Sequence, residues 1–66
     1  MSHIPQLIGL FAVELIRNKE LTEETQQNMV SALRQFMQQS QKDVEAIINS
    51  LDFSPEEHAQ LQQHFQ

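Results

Sequence analysis

Only three residues in this 66-residue chain break regular helix: Pro5, Gly9 and Pro55. A helix interior disfavours Gly by about 1 kcal/mol and Pro by about 3 kcal/mol relative to Ala. Most of the chain therefore lies between Gly9 and Pro55 without a breaker, and it is rich in Gln, a good helix former. No five-residue stretch alternates apolar and polar residues as a half-buried strand would. The expected fold is all-α, a single small helical domain spanning residues 1–66.

Three helices can be placed from local signals. The first is expected from Pro5 to Asn18, because proline suits a first turn where its missing N–H is not needed. Ser2 or Ile4 would flank it as cap, and Asn18 would end it in the left-handed conformation that asparagine tolerates. Thr22 is placed to cap the second helix, with Glu23 and Glu24 in a first turn whose dipole favours anions. Ser54, Pro55 and Glu57 form the strongest local pattern, a capping box with proline in the first helical position. The third helix should start there and cover the end of a helical hairpin.

The second helix carries the clearest periodicity. Val30, Leu33, Met37, Ser40, Val44, Ile47 and Leu51 follow one another at spacings of 3, 4, 3, 4, 3 and 4. That is the a/d repeat of a heptad seam, which keeps its phase if the helix is continuous. A continuous helix here would span about 28 residues, or about 42 Å. Against continuity, Gln38 to Asp43 is wholly polar, and Ser40-Gln41-Lys42-Asp43 has the form of a capping box. We expect continuity, with two shorter helices as the alternative.

The first helix is apolar over most of its circumference. Ile4, Leu7, Ile8, Phe11 and Leu15 make one stripe, and Leu10, Val13 and Ile16 widen it far beyond the face that one neighbour covers. A domain of this length buries only about 60% of its unfolded surface, and with no Cys it has no disulfide to help. The expectation is that two copies pair into a dimeric helical bundle. Leu7, Ile8, Phe11 and Leu15, together with Val30, Leu33, Met37, Val44, Ile47 and Leu51, would form the oligomer or partner interface. Isologous pairing of this kind suits a self-complementary apolar face.

Several functions are disfavoured. The net charge is −5, from nine acidic and four basic residues, so phosphate backbones and anionic membrane surfaces would repel the chain. The apolar run from Ile4 to Ile16 is shorter than the roughly 20 residues that cross a bilayer. No Lys or Arg precedes it and no cleavage pattern follows it, so it reads as a core helix rather than a leader. His58 and His64 stand six apart, about 240° around a helix, and His3 lies far along the chain. Convergent metal ligation is not expected. Glu23, Glu24, Glu56 and Glu57 are explained as first-turn anions, and no catalytic residue or cofactor site is expected. Glu14 could pair with Arg17 or with Arg34 of a partner, or simply be solvated. Met29, Met37 and Phe36 make a soft patch that suits either a core or an adaptable contact.

The ten residues Ser40 to Asn49 resemble part of the dimerising helices of the HU/IHF nucleoid family. The basic arms with which that family grips DNA have no counterpart here. The expected function is a small acidic helical protein–protein interaction module, a regulator or adaptor acting as a homo-oligomer on another protein. A cytoplasmic location is expected. The alternatives are a peripheral membrane-complex subunit anchored by the first helix, and a nucleic-acid-associated helical dimer.

Overall fold

The computed structural model describes residues 3–65. Three helices follow one another: α1 (Ile4–Arg17), α2 (Glu23–Ser50) and α3 (Pro55–Gln63), and the described residues contain no strand. The all-α hairpin with a short third helix is the observed architecture.

Helix α1 starts one residue before Pro5, so Ile4 is its first residue and not its cap. His3 holds the cap position without a side-chain cap hydrogen bond, and Ser2 lies outside the described residues. The far end differs from expectation. Asn18 is extended (φ −87°, ψ 104°) rather than left-handed. It terminates the helix with its side chain instead. Its Nδ2 donates to Glu14 Oε2 at 2.7 Å, and its Oδ1 accepts the Glu20 N–H at 3.0 Å. An Asx turn of this kind redirects the chain without positive φ.

Helix α2 is capped as its sequence implies, with the Thr25 N–H donating to Thr22 Oγ1 at 3.1 Å. Its course departs from a straight seam. Ser40 is extended (φ −161°, ψ 89°) inside the helical run. A straight helix of 28 residues would be about 42 Å long, more than the longest dimension of the molecule, 31 Å. The polar run around Ser40 offers little burial to a straight helix. The Ser40 hydroxyl also accepts the Asp43 N–H at 3.4 Å, which starts the second arm.

The bend folds α2 back on itself. Ser40 and Asp43 lie with Ile4 and Pro5 around one shallow hollow at the start of α1. Further on, the Leu51 side chain reaches Gly9, and the Asp52 carbonyl accepts from Arg17 at 2.9 Å. Residues 41–50 thus run alongside α1 in its own direction, whereas residues 23–39 run against it. The heptad positions are divided between two arms. Leu33 of the first arm and Val44 and Ile48 of the second converge on one core with Ile8, Ala12, Leu15 and Leu61. Folding at Ser40 lets one chain supply four helical segments.

Helix α3 opens with the complete capping box. Ser54 Oγ accepts the Glu57 N–H at 3.2 Å, and Glu57 Oε1 accepts the Ser54 N–H at 2.9 Å. Helix α1 packs against both α2 and α3. Among the described residues no buried side-chain nitrogen or oxygen lacks a partner.

Candidate interaction surface

The apolar residues of α1 divide between two sides. Ile8, Ala12 and Leu15 are buried. Ala12 is fully enclosed, and its small side chain lets the neighbouring segments approach closely. The core-facing stripe is therefore Ile8, Ala12 and Leu15, narrower than the stripe that the large residues suggest. Leu7 and Leu10 turn away from that stripe and are 39% and 52% exposed, and Ile4 in the first turn is 41% exposed. They follow at spacings of three along one ridge of the helix.

The expected interface residues take three positions. Ile8, Leu15, Leu33 and Val44 are buried in the core of a single chain. Phe11, Val30, Met37, Ile47 and Leu51 are half-buried and pack against that core. Leu7 alone of the set is exposed. Among the described residues, Ile4 and Leu10, outside the set, are also exposed large apolar residues. Their signal in the sequence is that a helix burying Ile8, Ala12 and Leu15 turns Leu7 and Leu10 away from the core.

α1 itself contributes no charge to this ridge, and Asp43 of α2 lines the hollow beside Ile4. From His3 to Val13 the chain has no Asp, Glu, Lys or Arg, and charged residues begin at Glu14. Beside Leu10 the surface sinks into an open apolar hollow of about 550 Å³ bordered by Pro5, Gly9, Val13, Ile47 and Leu51. Glycine is helical here, without positive φ.

The charged groups serve local structure. Arg17 donates from Nε to Glu57 Oε2 at 2.8 Å and from Nη2 to Glu57 Oε1 at 3.2 Å. Its guanidinium also lies 5.3 Å from the centre of the Phe53 ring. The hydrogen bond from Arg17, reinforced by the Ser54 N–H, lowers the Glu57 pKa from 4.5 to about 2. Hydrogen bonding to Glu57 raises that of Arg17. Glu14 is half-buried and accepts from Asn18 of its own chain.

The histidines do not converge. His3 Nδ1 is 3.3 Å from Gln6 Oε1, and His58 Nε2 is 3.2 Å from Asn49 Oδ1. His64 offers its carbonyl to Arg34 at 2.9 Å. Among the described residues no three His, Asp or Glu side chains are grouped to hold a metal ion. A groove of about 460 Å³ separates residues 41–49 from α3, with Met37, Ile48, Leu61 and Phe65 among its walls. Its one carboxylate, Glu45, accepts from Gln41 at 3.0 Å. No described helix is long and apolar enough to cross a membrane.

Comparison with family models, with curated proteins and with solved structures returns no match.

Proposed function

We propose that this chain is a small helical protein–protein interaction module, a regulator or adaptor without catalytic chemistry, and that it self-associates through the outer face of α1. One observation carries the reading: Ile4, Leu7 and Leu10 are exposed along a stretch of α1 that itself carries no Asp, Glu, Lys or Arg, in a chain of net charge −5. The net negative charge disfavours close approach of copies at the acidic parts of the surface, so contact is favoured where α1 carries no charge of its own. Isolated exposed apolar residues are ordinary on any protein, whereas a contiguous row beside an apolar hollow marks a docking surface.

The test is the mass in solution, by sedimentation from low to high micromolar concentration. The reading expects a concentration-dependent dimer that Leu10→Glu converts to a folded monomer. If Leu10→Glu leaves the dimer intact, the contact lies elsewhere. The same ridge could rest on a lipid surface, but no Lys or Arg flanks it to meet anionic headgroups. Flotation with neutral and anionic vesicles separates the two uses, and binding to vesicles by a chain that stays monomeric would replace the protein contact with a membrane one.

A further inference from the structure

We propose that Ser40 is an exchange hinge: α2 straightens there, and residues 41–63 of one copy dock on α1 and residues 23–39 of a second copy, which returns its own segment in exchange. The outer face of α1 takes no part in this exchange, so the inference stands apart from the reading of that face.

The bend is local. Ser40 is the one residue with non-helical angles among the 28 of α2, and its φ of −161° is unstrained extended backbone. Neither Gly nor Pro stands between residues 23 and 50, and Gln38, Gln39 and Gln41 beside the hinge favour helix. Gln38, Gln39, Gln41, Lys42 and Asp43 are exposed, so water can reach them whether α2 is bent or straight. The hydrogen bond that caps the second arm, from the Asp43 N–H to Ser40 Oγ, is long at 3.4 Å. Returning Ser40 to helical angles joins the two arms into one helix of about 42 Å.

The core identifies what an opened chain needs. Leu33, Met37, Val44, Ile47 and Leu51 keep one heptad phase across the hinge, so a straight α2 presents them on one face. In the bent chain Val44, Ile48 and Leu61 are buried together with Ile8, Ala12, Leu15 and Leu33. Opening at Ser40 separates these into two complementary apolar halves, neither of which can be left in water. The surface that fits the opened arm is the one it has left, and a second copy carries that surface unchanged. Exchange restores the buried contacts between chains, as in any swapped dimer, so the hinge and the concentration set the balance between the two forms.

One ion pair crosses the boundary of the exchange. Arg17 of α1 donates to both carboxylate oxygens of Glu57 in α3, so in the exchanged dimer each Arg17 meets the Glu57 of the other copy. Arg17→Glu alone sets two carboxylates against each other at this site, and Glu57→Arg alone sets two guanidinium groups. Mixing the two variants repairs neither fault while each chain folds on itself. A mixed exchanged dimer repairs both, because one of its sites carries the pair reversed and the other carries it as in the wild type.

Both full-length variants also carry Leu10→Glu, which removes association through the outer face of α1. They are mixed at high micromolar concentration, unfolded together in urea and refolded, and the dimers are weighed by native mass spectrometry. The mixed dimer should outnumber each homodimer by about ten-fold or more, against about two-fold for random pairing, because several like-charge contacts become ion pairs at once. Adding Gln41→Pro to both variants should leave folded monomers. Proline suits the first position of the second arm and holds the preceding residue extended, but it breaks a straight α2. A second measurement needs neither charge variant. The chain with Leu10→Glu alone, refolded at high concentration, should give a dimer that persists on dilution, since separation requires reopening the core, and Gln41→Pro should abolish it. Random pairing, a mixed dimer that survives Gln41→Pro, folded variants that stay monomeric when mixed, or a Leu10→Glu chain that refolds only to monomer overturns the exchange.

Discussion

Arg17 grips both carboxylate oxygens of Glu57, at 2.8 and 3.2 Å, from forty residues away in the chain. The same Glu57 closes the capping box at the start of α3 through the Ser54 N–H. One carboxylate therefore both initiates α3 and fastens it to the end of α1. Arg17 adds a bond to the Asp52 carbonyl and a cation–π contact with Phe53, so it holds the whole α2–α3 connection.

This arrangement predicts an acid-sensitive contribution to stability. The folded-state pKa of Glu57 is about 2 against an ordinary 4.5, so the folded form binds fewer protons through that window. The contribution is complete above about pH 4.5 and is lost as pH falls toward 2. Arg17→Ala should lower the melting temperature at pH 6, and the gap from wild type should narrow between pH 4.5 and 2. Arg17→Lys should fall between them, since an ammonium cannot take the bidentate geometry. Thermal unfolding across that range checks it, and a gap constant with pH would show that Arg17 acts by packing on Phe53 alone.

Ser40 is the hinge of α2, and its hydroxyl caps the second arm at a long 3.4 Å. Loss of an N-cap oxygen costs about 0.5–2 kcal/mol, and the long contact places this site at the low end. Ser40→Ala should destabilise by about 0.5–1 kcal/mol in urea unfolding. Ser40→Asp should match wild type, because aspartate caps equally well. Equal loss in both variants would mean that the bend is held by packing of Leu33 and Val44 and not by the cap.

Which parts of this fold were legible in the sequence follows from the range of the interactions involved. Thr22 and Ser54 are caps whose partners lie within three residues, so local chemistry identifies them. Ser40 carried both signals at once, the heptad phase and the capping pattern. Only tertiary packing decides between them, because folding back buries Leu33, Val44 and Ile48 against α1. The Arg17–Glu57 pair was not legible, since nothing local connects residues forty apart. The outer face of α1 was half legible. Its apolar excess is plain, but the buried stripe includes the small Ala12 and leaves Leu10 outside, with Phe11 half-buried against the core.

Leu33 and Leu7 make a direct contrast within the expected interface. Leu33 is fully buried, whereas Leu7 is 39% exposed. Leu33→Ala should cost about 2–5 kcal/mol through lost burial and the cavity left behind. Leu7→Ala should stay within about 0.5 kcal/mol for the isolated chain. Urea unfolding at low micromolar concentration measures both. Comparable losses would mean that Leu7 is already covered at that concentration, by association tighter than micromolar.

Gly9 faces Leu51 at the end of α2 and tests how closely those two segments pack. Within one chain, Gly9→Ala adds a methyl group with 3.6 Å to the nearest side-chain atom, so no clash arises. It also removes the backbone freedom that glycine retains when unfolded, and should stabilise the chain by about 0.5–1 kcal/mol. Thermal and urea unfolding at low micromolar concentration check this. A loss of stability instead would show that α1 must shift to admit the methyl group beside Leu51, because no other atom stands within 4 Å of that position outside its own helix.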